Sequence, residues 1–507
     1  MIVVVDFGSQ TAHLIARRIR ELGAPAELIH PENVLSEIKK QKVRGIILSG
    51  GPASVYEKNA PTLDRRIFDL GIPILGICYG QQLTAHLLSG GKTVKDRVRE
   101  DGPATLVIDR ECIILRGVSP HSRIWMSHGD TVIKPPRGFE LVAHSETISS
   151  AAMKNDAKKI YGVQFHPEVE HTEHGQLILR NFVELICRVK LSKQKLDKTS
   201  IISAIRNKVG EKHAIAAVSG GLDSTVAATL VAKAIGKRLI PIHVHSGLMR
   251  TGTTERVESF FKRYLGITPI ILNKQTEFLK ALKGVIDPEQ KRKIIGKLYI
   301  DLFEKECKRY KSVGFLVQGT IYSDVIESKG SKHSANIKSH HNVGGLPKDL
   351  KLELIEPIRE LYTDQVRSLA KELKIPNEFI FEQPHPGPGY AIRIIGEVTS
   401  ERLERVRKAD EIVMEEMKKA GWYKKVLHSF AILTGTSSTS VKGDGRVYGE
   451  VMAIRIVSSK DRMTADWTRV PYGTLQKMVS RITNEVPGVS RVVYDITTKP
   501  PATIEWE

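Results

Sequence analysis

Short apolar runs alternate with amphipathic stretches through the first part of the chain. Ile2–Val5, Gly45–Leu48 and Ile72–Ile77 are predicted strands, and Ala12–Leu22 is a predicted helix ending at Gly23. This β-α-β order is typical of an open α/β sheet, in which sites lie at the carboxyl ends of the strands.

A second α/β pattern follows, where a strand predicted at Ala214–Val218 leads through a glycine turn into a helix predicted at Val226–Ile235. The turn comprises Ser219, Gly220, Gly221, Leu222, Asp223, Ser224 and Thr225. Glycines let the backbone approach a ligand closely, and the amides at a helix start favour an anion. The Asp223 carboxylate is placed to hold a cation beside that anion. We therefore predict a site for a polyphosphate with its magnesium ion, although a glycine turn that caps an ordinary helix gives the same local pattern.

The predicted fold class is α/β, with two doubly wound α/β domains and a small α+β C-terminal domain. A polar, charged stretch at Leu191–Lys195 marks the first boundary. Pro384–Gly389, dense in proline and glycine, marks a hinge or a rigid ligand-contacting loop. The predicted domains are residues 1–190, 191–382 and 383–507.

Composition narrows the classes of partner. Lys and Arg number 77 against 57 Asp and Glu, which gives a net charge of +20 and raises the question of nucleic acid. The basic residues are spread along the chain rather than concentrated in one arm, so nucleic acid is not the expected partner. No apolar run reaches membrane-spanning length, so no membrane partner is expected either.

Cysteine usage bears on the compartment. Cys78, Cys112, Cys187 and Cys307 are scattered without C-x-x-C spacing. This pattern favours neither a disulfide framework nor a zinc site, and it predicts a reducing, cytoplasmic location.

One of these cysteines has the surroundings of a nucleophile. Cys78 stands between Gly76 and Gly80, after a predicted strand and before a predicted helix. Small flanking residues allow the strained turn of a nucleophile elbow, and a helix start favours the thiolate. The alternative is a buried structural cysteine.

A base and an oxyanion site can be proposed to go with Cys78. His166 and Glu168 follow a predicted strand and complete a Cys-His-Glu arrangement. The turn containing Gly50 and Gly51, together with the amide of Tyr79, can supply oxyanion donors. A metal site built from His166, His171 and His174 is disfavoured because that spacing fits no common zinc pattern.

The N-terminal third resembles the class I glutamine amidotransferases. The resemblance rests on Asp6–Gln10, Leu48–Pro52, Gly76–Gln82, Met126–Asp130 and Phe165–Glu168. It implies that the Cys78 thiolate attacks the side-chain amide of glutamine and releases ammonia. It also implies that Gln82, Ser127 and His128 contact glutamine, whereas by itself the segment 127–130 could be a plain turn.

The Ser219–Thr225 turn resembles the pyrophosphate loop of the N-type ATP pyrophosphatases, which adenylate an oxygen. An ammonia source joined to such a domain implies a product in which nitrogen replaces that oxygen.

The whole chain is similar to the glutamine-hydrolysing GMP synthetases. Further marks are Lys291–Gly296, Gly319–Ser328, Lys338–Pro347, Pro386–Gly389, Gly443–Arg446 and Lys499–Glu507. The resemblance implies that xanthosine 5′-phosphate (XMP) is the acceptor, that ATP with Mg²⁺ is a substrate, and that no organic cofactor is used. It implies a homodimer formed through the C-terminal domain. The residues it implies for XMP binding are Tyr322, Asp324, Pro386, Gly387, Lys499, Thr503 and Glu505.

Several positions depart from the usual pattern of that family around the nucleotide site. They are His245, Ser246, Ser323, Glu382, His385 and the predicted loop Thr434–Ser440. These departures leave two alternatives open: a different acceptor, such as another oxo-purine or a tRNA base, or a regulatory relative that binds nucleotide. An intact Cys-His-Glu set argues against the regulatory alternative, because a binding protein has no use for ammonia.

Overall fold

The computed structural model describes residues 1–9, 11–192, 197–310, 312–322, 324–325, 352–459 and 464–507, without the side chains of residues 96–99 and 442. Gln10, Ser323, residues 193–195 of the predicted boundary, residues 326–328 and the mark Lys338–Pro347 lie outside the described residues.

The first unit is a nine-stranded sheet with helices packed against it. Its strands are β1 (Ile2–Val5), β2 (Ala26–Ile29), β3 (Gly45–Leu48), β4 (Ile74–Ile77), β5 (Lys92–Ile108), β6 (His121–Lys134), β7 (Glu140–His144), β8 (Ala152–Asn155) and β9 (Ile160–Val163). Its helices are α1 (Ala12–Glu21), α2 (Val34–Lys40), α3 (Tyr79–Leu87) and α4 (Gly175–Asn181).

The sheet is mixed rather than doubly wound throughout. Its strand order is β2-β1-β3-β4-β9-β8-β7-β5-β6, parallel from β2 to β9 and antiparallel beyond. The predicted α/β order therefore holds for the parallel half, whereas the other half is antiparallel and joins the β5–β6 pair to the β7–β8–β9 strands through a pairing of β5 with β7. Strand β4 begins at Ile74 and not at Ile72, because Pro73 has no amide hydrogen to donate to a ladder.

The second unit is a fully parallel sheet in the order β12-β11-β10-β13-β14. These strands are β10 (His213–Ala217), β11 (Leu239–His245), β12 (Ile270–Asn273), β13 (Val313–Val317) and β14 (Glu353–Ile355). The helices are α5 (Lys198–Val209), α6 (Leu222–Ile235), α7 (Thr253–Phe260), α8 (Gln275–Leu282), α9 (Pro288–Cys307), α10 (Thr363–Glu372) and α11 (Asn377–Ile380). Parallel strands with intervening helices are the predicted doubly wound arrangement.

The third unit combines two helices with a small mixed sheet. Its elements are α12 (Ser400–Lys419), β15 (His428–Lys442), β16 (Gly445–Ser458), β17 (Asp466–Trp467), α13 (Tyr472–Glu485) and β18 (Val489–Asp495). The loop predicted at Thr434–Ser440 is wrong, because this segment belongs to β15, and Ser437 to Ser440 pair with β16. The pairing shifts register between Leu433 and Ser437, where Gly435 adopts a φ of 72°.

Each sheet falls inside one of the three predicted domain ranges, and the boundaries themselves stay predictions. One hydrophobic cluster nevertheless joins the second and third units: Phe278 of α8 and Ile295 of α9 pack with Met417 and Ile454. The first unit meets the second where the Arg17 guanidinium lies 3.9 Å from the centre of the Tyr362 ring. In the described part of the chain, no helix combines the length and the apolar character needed to cross a bilayer.

Candidate active sites

Cys78 occupies a strained turn between β4 and α3. It has a φ of 51° and a ψ of −107°, a conformation that side chains other than glycine rarely adopt. Gly76 permits the turn, because a Cβ there would lie 2.7 Å from the carbonyl carbon of Gly80. A Cβ on Gly80 would overlap the carbonyl oxygen of Leu48. The nucleophile elbow predicted from the flanking glycines is therefore the local geometry of this chain.

His166 and Glu168 lie beside Cys78 as a hydrogen-bonded pair. His166 Nδ1 donates to Glu168 Oε1 at 2.7 Å, and the Glu168 side chain is fully buried. Burial disfavours a charged imidazole, but the Glu168 carboxylate and the Cys78 sulfur together hold the pKa of His166 well above its usual range. A protonated His166 next to a sulfur is the charge state that stabilises a thiolate nucleophile.

The turn after β3 approaches the Cys78–His166 pair closely. A Cβ on Gly50 would lie 3.0 Å from His166 Cε1 and 3.7 Å from Cys78 Cβ. A Cβ on Gly51 would lie 3.3 Å from Tyr79 Cγ. A side chain at either position would crowd the space between this turn and the nucleophile elbow. A substrate carbonyl would bind in that space, so the two glycines are consistent with the predicted oxyanion site.

The residues predicted to contact glutamine lie on α3 and β6. Ser127 and His128 belong to β6, so the alternative of a plain turn is wrong. Ser127 Oγ donates to Asp101 Oδ1 at 2.7 Å, and Ser127 O lies 3.4 Å from Cys78 Sγ. Gln82 Nε2 donates to Asp130 O at 2.7 Å, and His128 Nδ1 donates to the same oxygen at 3.1 Å. Two of these three residues contact Cys78, because the Gln82 backbone amide also donates to Cys78 O at 3.1 Å, whereas the contacts of His128 fix the strand beside it.

The predicted pyrophosphate loop connects β10 to α6, and Gly221 is the N-cap of α6. Gly220 has a φ of 87°, and a Cβ there would lie 2.8 Å from Thr253 Cγ2. Within the loop, Gly221 N donates to Ser219 Oγ at 3.3 Å, and the hydroxyls of Ser219 and Ser224 lie 3.1 Å apart. These contacts hold the loop open around the start of α6, where a helix favours an anion.

Three of the loop residues have distinct positions. Thr225 is buried and donates to Gly221 O at 2.8 Å, so it stabilises the loop rather than facing a ligand. Leu222 and Asp223 form the first turn of α6. A carboxylate and hydroxyls are the oxygen ligands that magnesium prefers, so this donor set fits an ion carried by a polyphosphate.

The residues predicted to bind XMP divide into separate groups. Tyr322 follows β13, and its ring packs 5.0 Å from that of Tyr362. Asp324 Oδ2 accepts from the amide of Ile321 at 3.1 Å. Pro386 and Gly387 belong to a turn in which Gly389 N donates to Pro386 O at 2.9 Å.

The other group lies in the C-terminal segment, residues 495–507. Lys499 pairs with Ala465 through two backbone hydrogen bonds. Thr503 Oγ1 donates to Glu505 O. The Glu505 carboxylate accepts from the Arg393 guanidinium at 3.0 and 3.1 Å. The structure therefore places Lys499, Thr503 and Glu505 in one fixed segment of the third unit.

The described residues that depart from the family pattern each contact another residue of the chain. His245 Nδ1 lies 3.0 Å from Thr254 Oγ1, and Ser246 Oγ accepts from Tyr299 at 2.9 Å. The Glu382 carboxylate accepts from Arg256 at 2.7 Å. His385 Nε2 lies 3.5 Å from Leu248 O, and burial together with nearby Arg393 holds the pKa of His385 well below its usual range.

Sequence reasoning missed one residue beside the Cys78–His166–Glu168 set. Thr11 Oγ1 donates to Glu168 Oε1 at 2.6 Å from the start of α1. It also missed Arg393, which is fully buried and contacts Glu505 and His428. Neither contact joins residues that are close in sequence, so no local pattern could have indicated them.

Models of known protein families match both ends of the chain, and relatives match its full length. Residues 3–186 match the family model of class I glutamine amidotransferases, and residues 415–506 match that of the GMP synthase C-terminal domain. A glutamine-hydrolysing GMP synthase of Caldanaerobacter subterraneus is 51% identical over 509 aligned residues, covering 100% of this chain and 99% of the relative. One from Aquifex aeolicus is 51% identical with the same coverage, and one from Clostridium botulinum is 49% identical with the same coverage.

The chain belongs to the glutamine-hydrolysing GMP synthase family. The resemblance noted from the sequence motifs is thereby confirmed, as is the prediction of a glutamine-hydrolysing ligase that makes GMP. Membership of this family also favours that prediction over a different acceptor or a regulatory role.

Proposed function

We propose that this chain makes GMP from XMP, ATP and glutamine through two sites. The observation that carries the proposal is that one chain combines a Cys78–His166–Glu168 elbow with a glycine loop at the start of α6. The first set produces ammonia, and the second holds a nucleotide that activates an oxygen for replacement. Neither step needs an organic cofactor, because both are displacements at carbon or phosphorus.

At the glutaminase site, Cys78 Sγ attacks the side-chain carbonyl carbon of glutamine while the Gly50–Gly51 turn and the Tyr79 amide stabilise the oxyanion. Protonated His166 gives its proton to the departing nitrogen, and ammonia leaves behind a thioester on Cys78. Water then attacks the thioester carbon with His166 as base. Glutamate leaves, and the thiolate is regenerated.

At the synthetase site, the 2-oxygen of XMP attacks the α-phosphorus of ATP, and pyrophosphate leaves. Residues 219–224 hold the departing phosphates, with Asp223 directed at the magnesium ion that accompanies ATP. Ammonia adds at carbon 2 of the purine, and AMP leaves with the former oxygen. Tyr322, Asp324, the Pro386–Gly387 turn and the C-terminal segment are proposed to bind XMP.

Two further parts of the proposal concern assembly and location. The β15–β16 hairpin exposes Val441 and Tyr448, which are 71% and 74% exposed, and a second copy of the chain is the partner that we infer for this apolar tip. Sedimentation of the intact protein as a monomer at micromolar concentration would contradict this inference. Four free cysteines favour a cytoplasmic enzyme.

The experiment that tests the proposal compares two nitrogen sources. Consumption of XMP with Mg-ATP is followed by ultraviolet absorbance, with glutamine in one reaction and an ammonium salt in the other. The wild-type chain is expected to use both, whereas Cys78→Ala is expected to use only ammonium. Persistence of XMP with both nitrogen sources in the wild type would exclude XMP as the acceptor, and a Cys78→Ala variant active with glutamine would exclude Cys78 as the nucleophile.

A further inference from the structure

Three fully buried cations surround the C-terminal segment. The side chains of Lys291, Arg393 and Arg455 have no solvent exposure, and each contacts a carboxylate of residues 495–507. A buried cation is strongly unfavourable unless it is paired, so each pair forms only when the segment is in place. The segment is therefore fixed by charge as well as by packing.

Arg393 determines the orientation of Glu505. Its Nε and Nη2 donate to the two carboxylate oxygens at 3.1 and 3.0 Å, and its Nη1 lies 3.5 Å from Asp410 Oδ1. A bidentate arginine fixes the plane of a carboxylate. A carboxylate has about four lone-pair sites, of which Arg393 takes two, and His428 Nδ1 lies 3.6 Å from Glu505 Oε1.

Lys291 connects the same segment to the second unit. It lies on α9, and its Nζ donates to Glu507 Oε2 at 2.6 Å and to Ile394 O at 2.7 Å. The carboxylates of Glu505 and Glu507 are thus held close to each other. Glu505 is bound by the side chain of Arg393, and Glu507 is bound by Lys291, which also donates to the carbonyl of the next residue, Ile394. Lys291 is the contact by which a helix of the second unit reaches the segment that carries Glu505.

The rest of the segment is held within the third unit. Arg455 donates to Ile504 O at 2.8 Å and to Thr503 O at 2.7 Å, and its Nη1 lies 2.6 Å from Asp495 Oδ2. Trp506 Nε1 donates to the same Asp495 oxygen at 2.8 Å. With Arg455 holding one side, Lys291 and Arg393 determine where the two glutamates lie.

We propose that Lys291 and Arg393 are positioning residues for XMP, and that the Lys291–Glu507 and Arg393–Glu505 pairs hold the C-terminal segment against the nucleotide site. The inference rests on the proposed contact of XMP with Lys499 and Glu505. A xanthine ring presents N–H donors on either side of its 2-oxygen, and the oxygens of an oriented Glu505 carboxylate are matched acceptors for such donors. When the Lys291 contact is lost, the Glu505 carboxylate is still present, but its position is no longer fixed.

The test measures Michaelis constants in the full chain with ammonium as the nitrogen source. Lys291→Met removes the charge at nearly constant length, and Lys297→Met on the same helix is the matched control, because Lys297 is exposed and pairs with Asp301 in the next turn. We expect Lys291→Met to raise the KM for XMP by about tenfold or more, because the buried Glu507 carboxylate is left unpaired and no longer fixes the segment that carries Glu505. The KM for ATP and the basal hydrolysis of glutamine are expected to stay as in the control.

A second variant covers the case in which Lys291→Met does not fold. Glu507→Gln keeps the shape of the side chain and removes its charge, and we expect it to raise the KM for XMP in the same way. If the two residues act through one contact, the double variant is impaired no more than the worse single variant. An unchanged KM for XMP in both single variants, or an equal rise in the KM for ATP, would overturn the inference.

Direct variants separate this inference from the proposed function. If Lys499→Met and Glu505→Gln raise the KM for XMP while Lys291→Met and Glu507→Gln do not, the positioning role is wrong and the XMP site stands. If none of the four variants changes that constant, the C-terminal segment does not bind XMP, and the proposed contact itself is wrong.

Discussion

The Glu168 carboxylate allows a test of the glutaminase site that changes charge and leaves shape almost unaltered. Its Oε1 accepts from His166 at 2.7 Å and from Thr11 at 2.6 Å. Its Oε2 is buried without a hydrogen-bond partner among the described residues. In Glu168→Gln, the amide oxygen can keep both hydrogen bonds while the amide nitrogen takes the place of Oε2, so what is lost is the negative charge facing the imidazole.

The size of the effect follows from the hydrogen bond that changes character. A hydrogen bond to a charged group contributes about 1.5–3 kcal/mol and one between neutral groups about 0.5–1.5 kcal/mol, so the change costs roughly 1–2 kcal/mol. A loss of that size in the stability of protonated His166, which keeps Cys78 as a thiolate and supplies the proton to the departing nitrogen, lowers the rate by a factor of about 5 to 30. An unpartnered buried amide nitrogen adds to the loss.

The assay is glutamate release from glutamine, run beside ammonium-dependent synthesis in the same preparation. Glutamate release is expected to fall by that factor, and ammonium-dependent synthesis is expected to stay at the wild-type rate. Thr11→Val is the matched control, because it removes one donor to the same oxygen and leaves the charge. A Glu168→Gln variant as fast as the wild type with glutamine would refute the role of Glu168, and an equal fall in the ammonium reaction would show general damage.

Two further predictions concern the synthetase loop and pH. A Cβ on Gly319 would lie 2.6 Å from Ser224 N, so Gly319→Ala is expected to displace the pyrophosphate loop. Pyrophosphate release should then be abolished with either nitrogen source, while basal glutaminase activity persists. Normal pyrophosphate release would contradict this prediction. Because pairing raises the pKa of His166, the pair contributes stability that is fully present below the ordinary histidine pKa of about 6.5 and is lost as pH rises through the raised value. The difference in unfolding free energy between wild type and Glu168→Gln, measured with denaturant, should therefore be larger at acidic than at alkaline pH, and a difference independent of pH would count against the pairing.

The features that the sequence predicted well are those in which chemistry is constrained locally. An elbow around Cys78 needs glycine on both sides, and a phosphate loop needs glycines before a helix, so a few adjacent residues carry the whole signal. Helix α1 and the parallel strands around these motifs follow from periodicity in the same way.

The features that the sequence did not predict depend on pairing between distant segments. In the antiparallel half of the first sheet, β5 pairs with β7 although β6 lies between them in the chain, and nothing within either strand specifies that partner. The same limit applies to side chains: Thr11 and Glu168 are separated by 157 positions, and Lys291 and Glu507 by 216. Such contacts are set by the tertiary fold.

The distribution of the hydrophobic clusters has a consequence for where the polypeptide could be divided. The hydrophobic clusters of the first sheet draw on residues 2–191. The cluster that contains Phe278 and Ile295 also contains residues up to 494. A break in the gene near codon 192 would sever no shared core, and the two polypeptides could reassociate through the surface around Arg17 and Tyr362. A break near codon 382 would divide a shared core between the two products, so we expect the second and third units to be inherited and folded together.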